Sequence, residues 1–310
     1  TRLYMQNIPH VPVLYTQVLE TFEGIEDGII IDCTMGYGGH SSMILEQNPN
    51  IKLIGIDQDQ TAIDYSTKRL EKYASRVEIK KGRFSSVIQD IVKEYDISNI
   101  QGVLADIGVS SLQLDQKDRG FSYDSDKLDM RMDKNAPLSA SEVVNEYSVD
   151  ELENILFEYG ELRNYKKIAS FIVNNRPFTT AKELSEKLKP LLPHGKIHPA
   201  TLLMQAIRIE VNDELGELKS LLSTIREAGF INTKVAIISF HSLEDRIVKQ
   251  AFSQWKQNCI CPSEAMRCTC NRDNSIGKVL TKKPLMATKE ELKENVRSRS
   301  AKMRVFKIGK

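Results

Sequence analysis

Nothing in this sequence approaches the roughly 20 consecutive apolar residues that a membrane-spanning helix needs, so an integral membrane protein built of helices is excluded. The first residues show no charged stretch leading into an apolar one, the mark of a secretory leader, and the expected location is the cytoplasm. A disulfide framework is not expected there, and the chain has only five cysteines. No internal repeat or low-complexity tract is present, which excludes a solenoid. A global excess of one charge is missing too, the net being +1. What remains is a globular chain: 41% of the 310 residues are hydrophobic, a length that suits one large domain or two ordinary ones.

The charge that exists is unevenly spread. Residues 278–310 hold eleven Lys/Arg against three Glu, a local +8. A basic end on a neutral body points to phosphates; a merely solvated tail is the plainer alternative. Four of the cysteines form two close pairs, Cys259-x-Cys261 and Cys268-x-Cys270. Two such pairs on a short loop can surround a tetrahedral Zn²⁺, although structural zinc sites usually space their ligands C-x₂₋₄-C. Free thiols on a loop are the alternative, so no metal is assigned at this point. Cys33 reads as a small buried residue.

The most informative stretch is Ile31-Asp-Cys-Thr-Met-Gly-Tyr-Gly-Gly-His40. An apolar run ends in Asp32, then come Gly36, Gly38 and Gly39 before a helical pattern. Glycines at a strand end let backbone approach a ligand closely, and the helix start offers free N–H groups. Doubly wound α/β folds hold nucleotide-like cofactors in this way. Four apolar runs read as buried strands: Gly28–Cys33, Lys52–Asp57, Arg76–Lys80 and Gly102–Ile107. Helical patterns over Ser41–Gln47, Thr61–Tyr73 and Ser86–Glu94 separate them, which implies a parallel sheet. Three of the strands carry an acid near their ends, Asp32, Asp57 and Asp106.

From about residue 116 to 212 the alternation stops. Ser139-x-x-Glu142, Ser148-x-x-Glu151 and Thr180-x-x-Glu183 read as three capping boxes. After the second, Leu152, Ile155, Leu156 and Tyr159 form a helical stripe that Gly160 can stop. The α/β pattern then resumes with a helix at Leu215–Ala228, a strand at Val235–Phe240, a helix opening at His241-Ser-Leu-Glu-Asp245, and a last strand at Lys302–Ile308. The expected fold is α/β: a Rossmann-like domain with a parallel-rich sheet, residues 1–115 and 213–310, interrupted by an all-helical insertion, residues 116–212.

Two cofactors compete for the glycine turn. The dinucleotide pattern G-x-G-x-x-G is not met by Gly36-x-Gly38-Gly39. Asp32 would repel a pyrophosphate but suits the ammonium of an amino-acid ligand. Asp57 is placed for ribose hydroxyls in either case, and Phe84 could cover an adenine face or serve the core. S-adenosylmethionine is the better fit.

At Asp106-Ile-Gly-Val-Ser-Ser-Leu-Gln-Leu-Asp115, Arg119-Gly-Phe-Ser122 and Leu128-Asp-Met-Arg-Met-Asp133, the sequence resembles the ribosomal RNA small-subunit methyltransferase H family. The likeness runs over nearly the whole chain. It includes His10-Val-Pro-Val-Leu14, Gly38-Gly39-His40, Tyr159-Gly160-Glu161, His198-Pro-Ala-Thr201, Gln205-Ala206-x-Arg208-Ile209, Val211-Asn212, Ile238-Ser-Phe-His-Ser-Leu-Glu-Asp-Arg246 and Arg297-Ser-Arg-Ser-Ala301. The resemblance implies a Rossmann-like methyltransferase domain carrying a helical domain. It also implies S-adenosylmethionine as methyl donor, and the N4 amine of a cytidine in the 16S rRNA decoding centre, in the small ribosomal subunit, as target. Carried over motif by motif, the cofactor contacts would be Gly38, Gly39, His40, Asp57, Phe84, Asp106 and Gln113, beside Asp32 and Gly36 from the turn itself.

The likeness has departures. Relatives commonly carry an arginine where Leu202 follows Thr201 here, so another cation, Arg208, is the candidate replacement. The cysteine pairs occur in only part of the family, so membership does not imply zinc. Many N4-amino methyltransferases use an Asp/Asn-Pro-Pro-Tyr loop, whereas this chain has Asp106-Ile-Gly-Val-Ser-Ser. Asp106 is the expected catalytic group, accepting the amine's hydrogen bonds. Arg119 and Arg131 on the connecting loop, Arg208, His241, Arg297 and Arg299 are the expected RNA contacts, with Ser242 and Asp245 as possible helix caps. A methyltransferase for another cytidine in RNA or DNA, and a non-catalytic RNA-binding protein, are the rival readings.

Overall fold

The protein is described here by a computed structural model covering residues 12–193, 198–262, 264 and 267–309. His10 and Val11 of the first shared motif lie outside the described residues. In chain order the elements are α1 (Tyr15–Phe22), β1 (Ile29–Asp32), α2 (Gly39–Gln47), β2 (Lys52–Asp57), α3 (Gln60–Arg69), β3 (Val77–Lys81), α4 (Phe84–Glu94) and β4 (Ile100–Asp106). Six helices follow: α5 (Ser111–Asp115), α6 (Ala140–Glu146), α7 (Val149–Glu158), α8 (Tyr165–Asn174), α9 (Ala181–Leu188) and α10 (Thr201–Asn212). The chain ends with α11 (Glu214–Glu227), β5 (Lys234–Ser239), α12 (Ser242–Trp255), β6 (Gly277–Val279), β7 (Leu285–Met286), α13 (Lys289–Glu294) and β8 (Lys302–Ile308). No helix among the described residues is long and apolar enough to cross a membrane.

Two compact units result, Thr1–Gly108 with Glu217–Lys310, and Val109–Gly216. The sequence reading set the joints at 115/116 and 212/213. The observed unit begins earlier because the chain leaves the sheet at Gly108, before α5.

The first unit is built on an eight-stranded sheet in the order β3-β2-β1-β4-β5-β8-β6, with β7 also on β8. The strands from β3 to β5 are parallel. β8 runs antiparallel to β5, and β6 and β7 antiparallel to β8. The central runs are apolar at every position because both faces are covered. Alternate residues serve opposite cores. Ile30, Leu53, Leu104 and Ala236 share one with Val18 and Phe22 of α1 and Ile44 and Leu45 of α2. Ile31, Ile54, Val103 and Ile237 share the other with Leu218 and Leu222 of α11 and Phe252 and Trp255 of α12. β3, at the edge, has no fully buried position and exposes Glu78 and Lys81, charged residues of the kind that blunt an edge strand. Element α1 and the short β6, β7 and α13 were not anticipated; they are too short for periodicity to register.

The second unit is helical, with no strand among its described residues. Ser139 and Ser148 form capping boxes with Glu142 and Glu151. Thr180 forms half of one: its hydroxyl accepts the Glu183 N–H, but Glu183 reaches back to Thr179 instead. After α7 the left-handed residue is Glu161, φ +49, rather than Gly160. Gly160 matters for space, since a Cβ there would lie 2.7 Å from Leu156 O.

Candidate active site

At the carboxyl end of β1 the chain bonds sideways to both neighbouring strands. The Cys33 N–H donates to Leu104 O of β4 at 2.8 Å, and the Met35 N–H to Ile56 O of β2 at 2.9 Å. Between them Thr34 Oγ1 accepts the Asp106 N–H at 2.6 Å, while the Thr34 N–H donates to Asp32 Oδ1 at 3.2 Å. Thr34 therefore pins the end of β4 to the end of β1, a role its residue type alone does not announce. Gly36 and Gly38 sit at φ +53 and +72, where a Cβ is disfavoured, and Gly38 is the N-cap of α2. Beneath them Gly55 of β2 makes room for Met35, because a Cβ there would come within 2.3 Å of its Sδ. Arg69 of α3 holds the turn from outside, Nη1 donating to Tyr37 O at 3.1 Å.

The three strand-end acids share this turn but differ in environment. Asp32 is 1% exposed; its oxygens accept from Thr34 N–H and from Ser41 Oγ at 2.6 Å. Burial lifts its carboxyl to about 6 against those hydrogen bonds, with a push from Asp57. Asp32 thus shapes the turn from within. Asp57 accepts from the Gly36 and Asp59 N–H groups, both at 2.8 Å, and burial lifts it to about 6 as well. Asp106 is the odd one. Its Oδ1 is buried and has no hydrogen-bond partner among the described residues. Burial first, then the charges of Asp32 and Glu244, push its carboxyl well above the usual range. His40, 7% exposed, donates from Nε2 to Val13 O at 2.8 Å and turns Nδ1 toward Asp106 Oδ2, 3.8 Å away and beyond hydrogen-bond reach. Burial lowers this imidazole to about 4, so near neutral pH it is uncharged.

Beside this, β5 pairs with β4 so that Asp106 faces Ile238, and the chain leaves β5 through Phe240 and His241. His241 is itself the N-cap of α12, its Nδ1 facing the Glu244 N–H at 3.5 Å. Glu244, fully buried, accepts the Phe240 and His241 N–H groups at 2.8 and 3.3 Å on Oε2. Its Oε1 lies 3.0 Å from His241 Nε2, yet neither atom is aligned in a hydrogen bond. The expected caps were Ser242 and Asp245. Asp245 instead grips Arg304 of β8 with both oxygens, at 2.6 and 3.1 Å. Glu244 was missed, although Glu three residues after a polar residue is the capping-box signal; His in the Ser/Thr place concealed it.

The remaining candidates are distributed as follows. Gly39 opens α2, where a Cβ would lie 3.0 Å from Pro12 Cγ. Phe84 opens α4, partly buried against the sheet core. Gln113 belongs to the second unit, buried, with Oε1 accepting the Ser110 N–H at 3.0 Å. Arg119, 4% exposed, donates to the carbonyls of Arg131 and Met132, both at 3.1 Å, and so braces the loop it sits on. Arg131 clamps Asp129 at 2.9 and 2.8 Å, and Arg208 clamps Glu214 at 2.7 and 3.0 Å. These three arginines, expected to contact RNA, are each engaged within their own unit. Arg297 and Arg299 are exposed on the short 3₁₀ turn Val296–Ser300. The four loop cysteines lie together between α12 and β6, remote in sequence from the strand-end acids.

A parallel-rich sheet in this strand order, with a glycine turn after its first strand and acids closing β1, β2 and β4, defines a Rossmann-like α/β domain of the methyltransferase class. Comparison with known proteins narrows the class. The chain belongs to the MraW methylase family, whose model matches residues 7–309. It is 70% identical over 307 residues to a ribosomal RNA small subunit methyltransferase H of Sulfurimonas denitrificans, a match covering 99% of this chain and all of the relative. Proteins of the same name from Aliarcobacter butzleri and Nitratiruptor sp. are 57% and 56% identical, each match covering 97% of this chain and 99% of the relative.

Proposed function

We propose that this chain transfers a methyl group from S-adenosylmethionine to the N4 amine of a cytidine in the decoding centre of 16S rRNA, within the small ribosomal subunit. The relatives' shared name supports the substrate class. The observation that carries the chemistry is Asp106 Oδ1, a buried acceptor left open at a strand end beside the glycine turn. Buried polar atoms are otherwise nearly always paired, so an open one in a ligand-type turn marks a place for a ligand.

S-adenosylmethionine, when bound, supplies an electrophilic methyl on a positively charged sulfur. The residues suited to hold it are the turn Gly36–His40, Asp57 through lone pairs its own loop leaves unused, and Phe84 as an apolar cover. Asp32 acts by fixing the turn. A cytidine N4 lone pair is delocalised into the ring, so alignment and acceptance of its hydrogens contribute to rate. Asp106 does both. Its raised pKa favours the neutral acid, and a positive charge nearby shifts it toward the carboxylate that can accept. His40, uncharged and held by Val13 O, walls the acid without competing for the proton. The target base is turned out of its stack to reach Asp106, as enzymes acting on bases require, and Arg297 and Arg299 contact RNA phosphates.

The test incubates the protein with labelled S-adenosylmethionine and small subunits from cells lacking the endogenous enzyme, followed by nucleoside analysis. Label in N4-methylcytidine at one decoding-centre position is expected. Cofactor binding without transfer would move the target to another nucleic acid.

A further inference from the structure

Between α12 and β6 the described residues of 256–276 form no helix or strand and contribute no fully buried side chain, and Ile260 is 54% exposed. Long unstructured connections in compact domains usually have a function of their own. Here all four Cys Sγ atoms lie within 4.8 Å of one another. Cys268 Sγ is 3.7 Å from Cys259, 4.0 Å from Cys261 and 3.5 Å from Cys270, and Cys259 and Cys270 are 3.7 Å apart. A tetrahedron of thiolates at Zn–S ≈ 2.3 Å has edges of ~3.8 Å. No two sulfurs are singled out as a disulfide would require, and all four are free thiols. Four sulfurs this close enclose one ion, not a multi-iron cluster.

The surroundings suit bound thiolates. The Ile260 N–H points to Cys270 Sγ at 3.4 Å and the Thr269 N–H to Cys261 Sγ at 3.3 Å, each from one Cys pair to the other. The Arg272 side chain bonds Cys268, a counter-charge for a tetrathiolate site. At the base of the loop Asn274 donates its side-chain amide to Asn258 O at 3.0 Å and Cys270 O at 2.9 Å, which fixes the second pair against the first. We propose that Cys259, Cys261, Cys268 and Cys270 bind a single Zn²⁺ that clamps this loop in place of a hydrophobic core.

The proposal is independent of the methyl-transfer reading and is tested without activity. The full chain, purified under reduction and reloaded with Zn²⁺, should hold one zinc per chain by elemental analysis. Mercurial modification of its thiols should release that zinc. Co²⁺ in place of Zn²⁺ should give the intense visible bands and near-ultraviolet charge transfer of a tetrahedral thiolate site. Cys261→Ser should weaken zinc binding more than tenfold with the circular dichroism spectrum unchanged. Trypsin should cut at Arg267 and Arg272 faster in the metal-free chain than in the loaded one. Absence of stoichiometric zinc, iron in its place, an octahedral cobalt spectrum, zinc retained when all four cysteines are serine, or equal cleavage with and without metal would each overturn the proposal.

Discussion

The two units treat their buried charges in opposite ways. In the helical unit Arg119 is bonded to two carbonyls, Arg131 to Asp129 and Arg208 to Glu214. Burial works against the Asp129 carboxylate, but Arg131 outweighs it and the net shift is downward. The hydroxyl of Ser125 is that unit's one buried side-chain polar atom without a partner among the described residues. In the sheet unit the ends of β4 and β5 alone leave three such atoms, Asp106 Oδ1, His241 Nε2 and Glu244 Oε1. The strand-end acids Asp32, Asp57 and Asp106 are pushed up, not down. A satisfied charge stabilises structure; an unsatisfied buried one is kept at a cost in stability that a ligand can offset.

The sharpest break of this contrast is Asp106→Ala. Turnover should fall by about 10²–10³-fold or more, the scale of losing one positioned polar group in an active site. Melting temperature should hold or rise, since Oδ1 has no partner to orphan and Thr34 keeps the backbone N–H. Unchanged turnover, measured with small subunits as substrate, would remove Asp106 from the mechanism. Next in size is Arg208→Ala. Glu214, 5% exposed, would be left as an unpaired buried acid, a loss of about 3 kcal/mol. Denaturant unfolding should show it, and Glu214→Gln in the same chain should restore part of it. If instead only RNA affinity fell, Arg208 would be a surface cation after all.

Much of the sheet unit was legible because buried parallel strands and glycine turns leave patterns: Asp32, Asp57 and Asp106 were all found at strand ends before any coordinate. Lys302–Ile308 was read to its full extent. What stayed hidden depends on partners distant in sequence. Thr34 matters through an N–H seventy-two residues away, and Gly55 through the sulfur of Met35. The engagement of the arginines was hidden for the same reason: Asp129, Glu214 or a pair of carbonyls holds each of them, and a basic residue in the sequence does not announce such a partner. Arg304, counted in the basic end, is likewise turned to Asp245.

A smaller effect sharpens the comparison through pH. Asp57, raised to about 6, binds in the folded state a proton that the unfolded chain has lost above the ordinary aspartate value of 3.8. Its contribution to stability is therefore full below that lower value and declines as pH rises toward 6. Ligand binding runs the other way, because a donor-rich, positively charged cofactor prefers the ionised acid. Affinity for S-adenosylmethionine should fall by up to about tenfold per pH unit below 6, and Asp57→Asn should make calorimetric profiles shallower. His40 adds no step to ligand binding between pH 5 and 8, being lowered to about 4. Its linkage to stability has the opposite sign, lost as pH drops from 6.5 toward 4. A profile untouched by Asp57→Asn would place the cofactor elsewhere.

The smallest effect separates an exposed cation from an engaged one. Arg299 is exposed on the 3₁₀ turn, while Arg131 is tied to Asp129 and to Ala136 O. If Arg299 meets a phosphate, Arg299→Ala should weaken RNA binding a few-fold at low salt and reduce the slope of log affinity against log salt by about 0.7–1. Its melting temperature should not move, because no buried partner is abandoned. Arg131→Ala should do the reverse, lowering stability while leaving the salt slope in place, since its charge is spent on Asp129. Measuring both variants on the same RNA makes the comparison decisive. Equal salt slopes in the two would mean that engagement inside the helical unit does not withhold a charge from RNA.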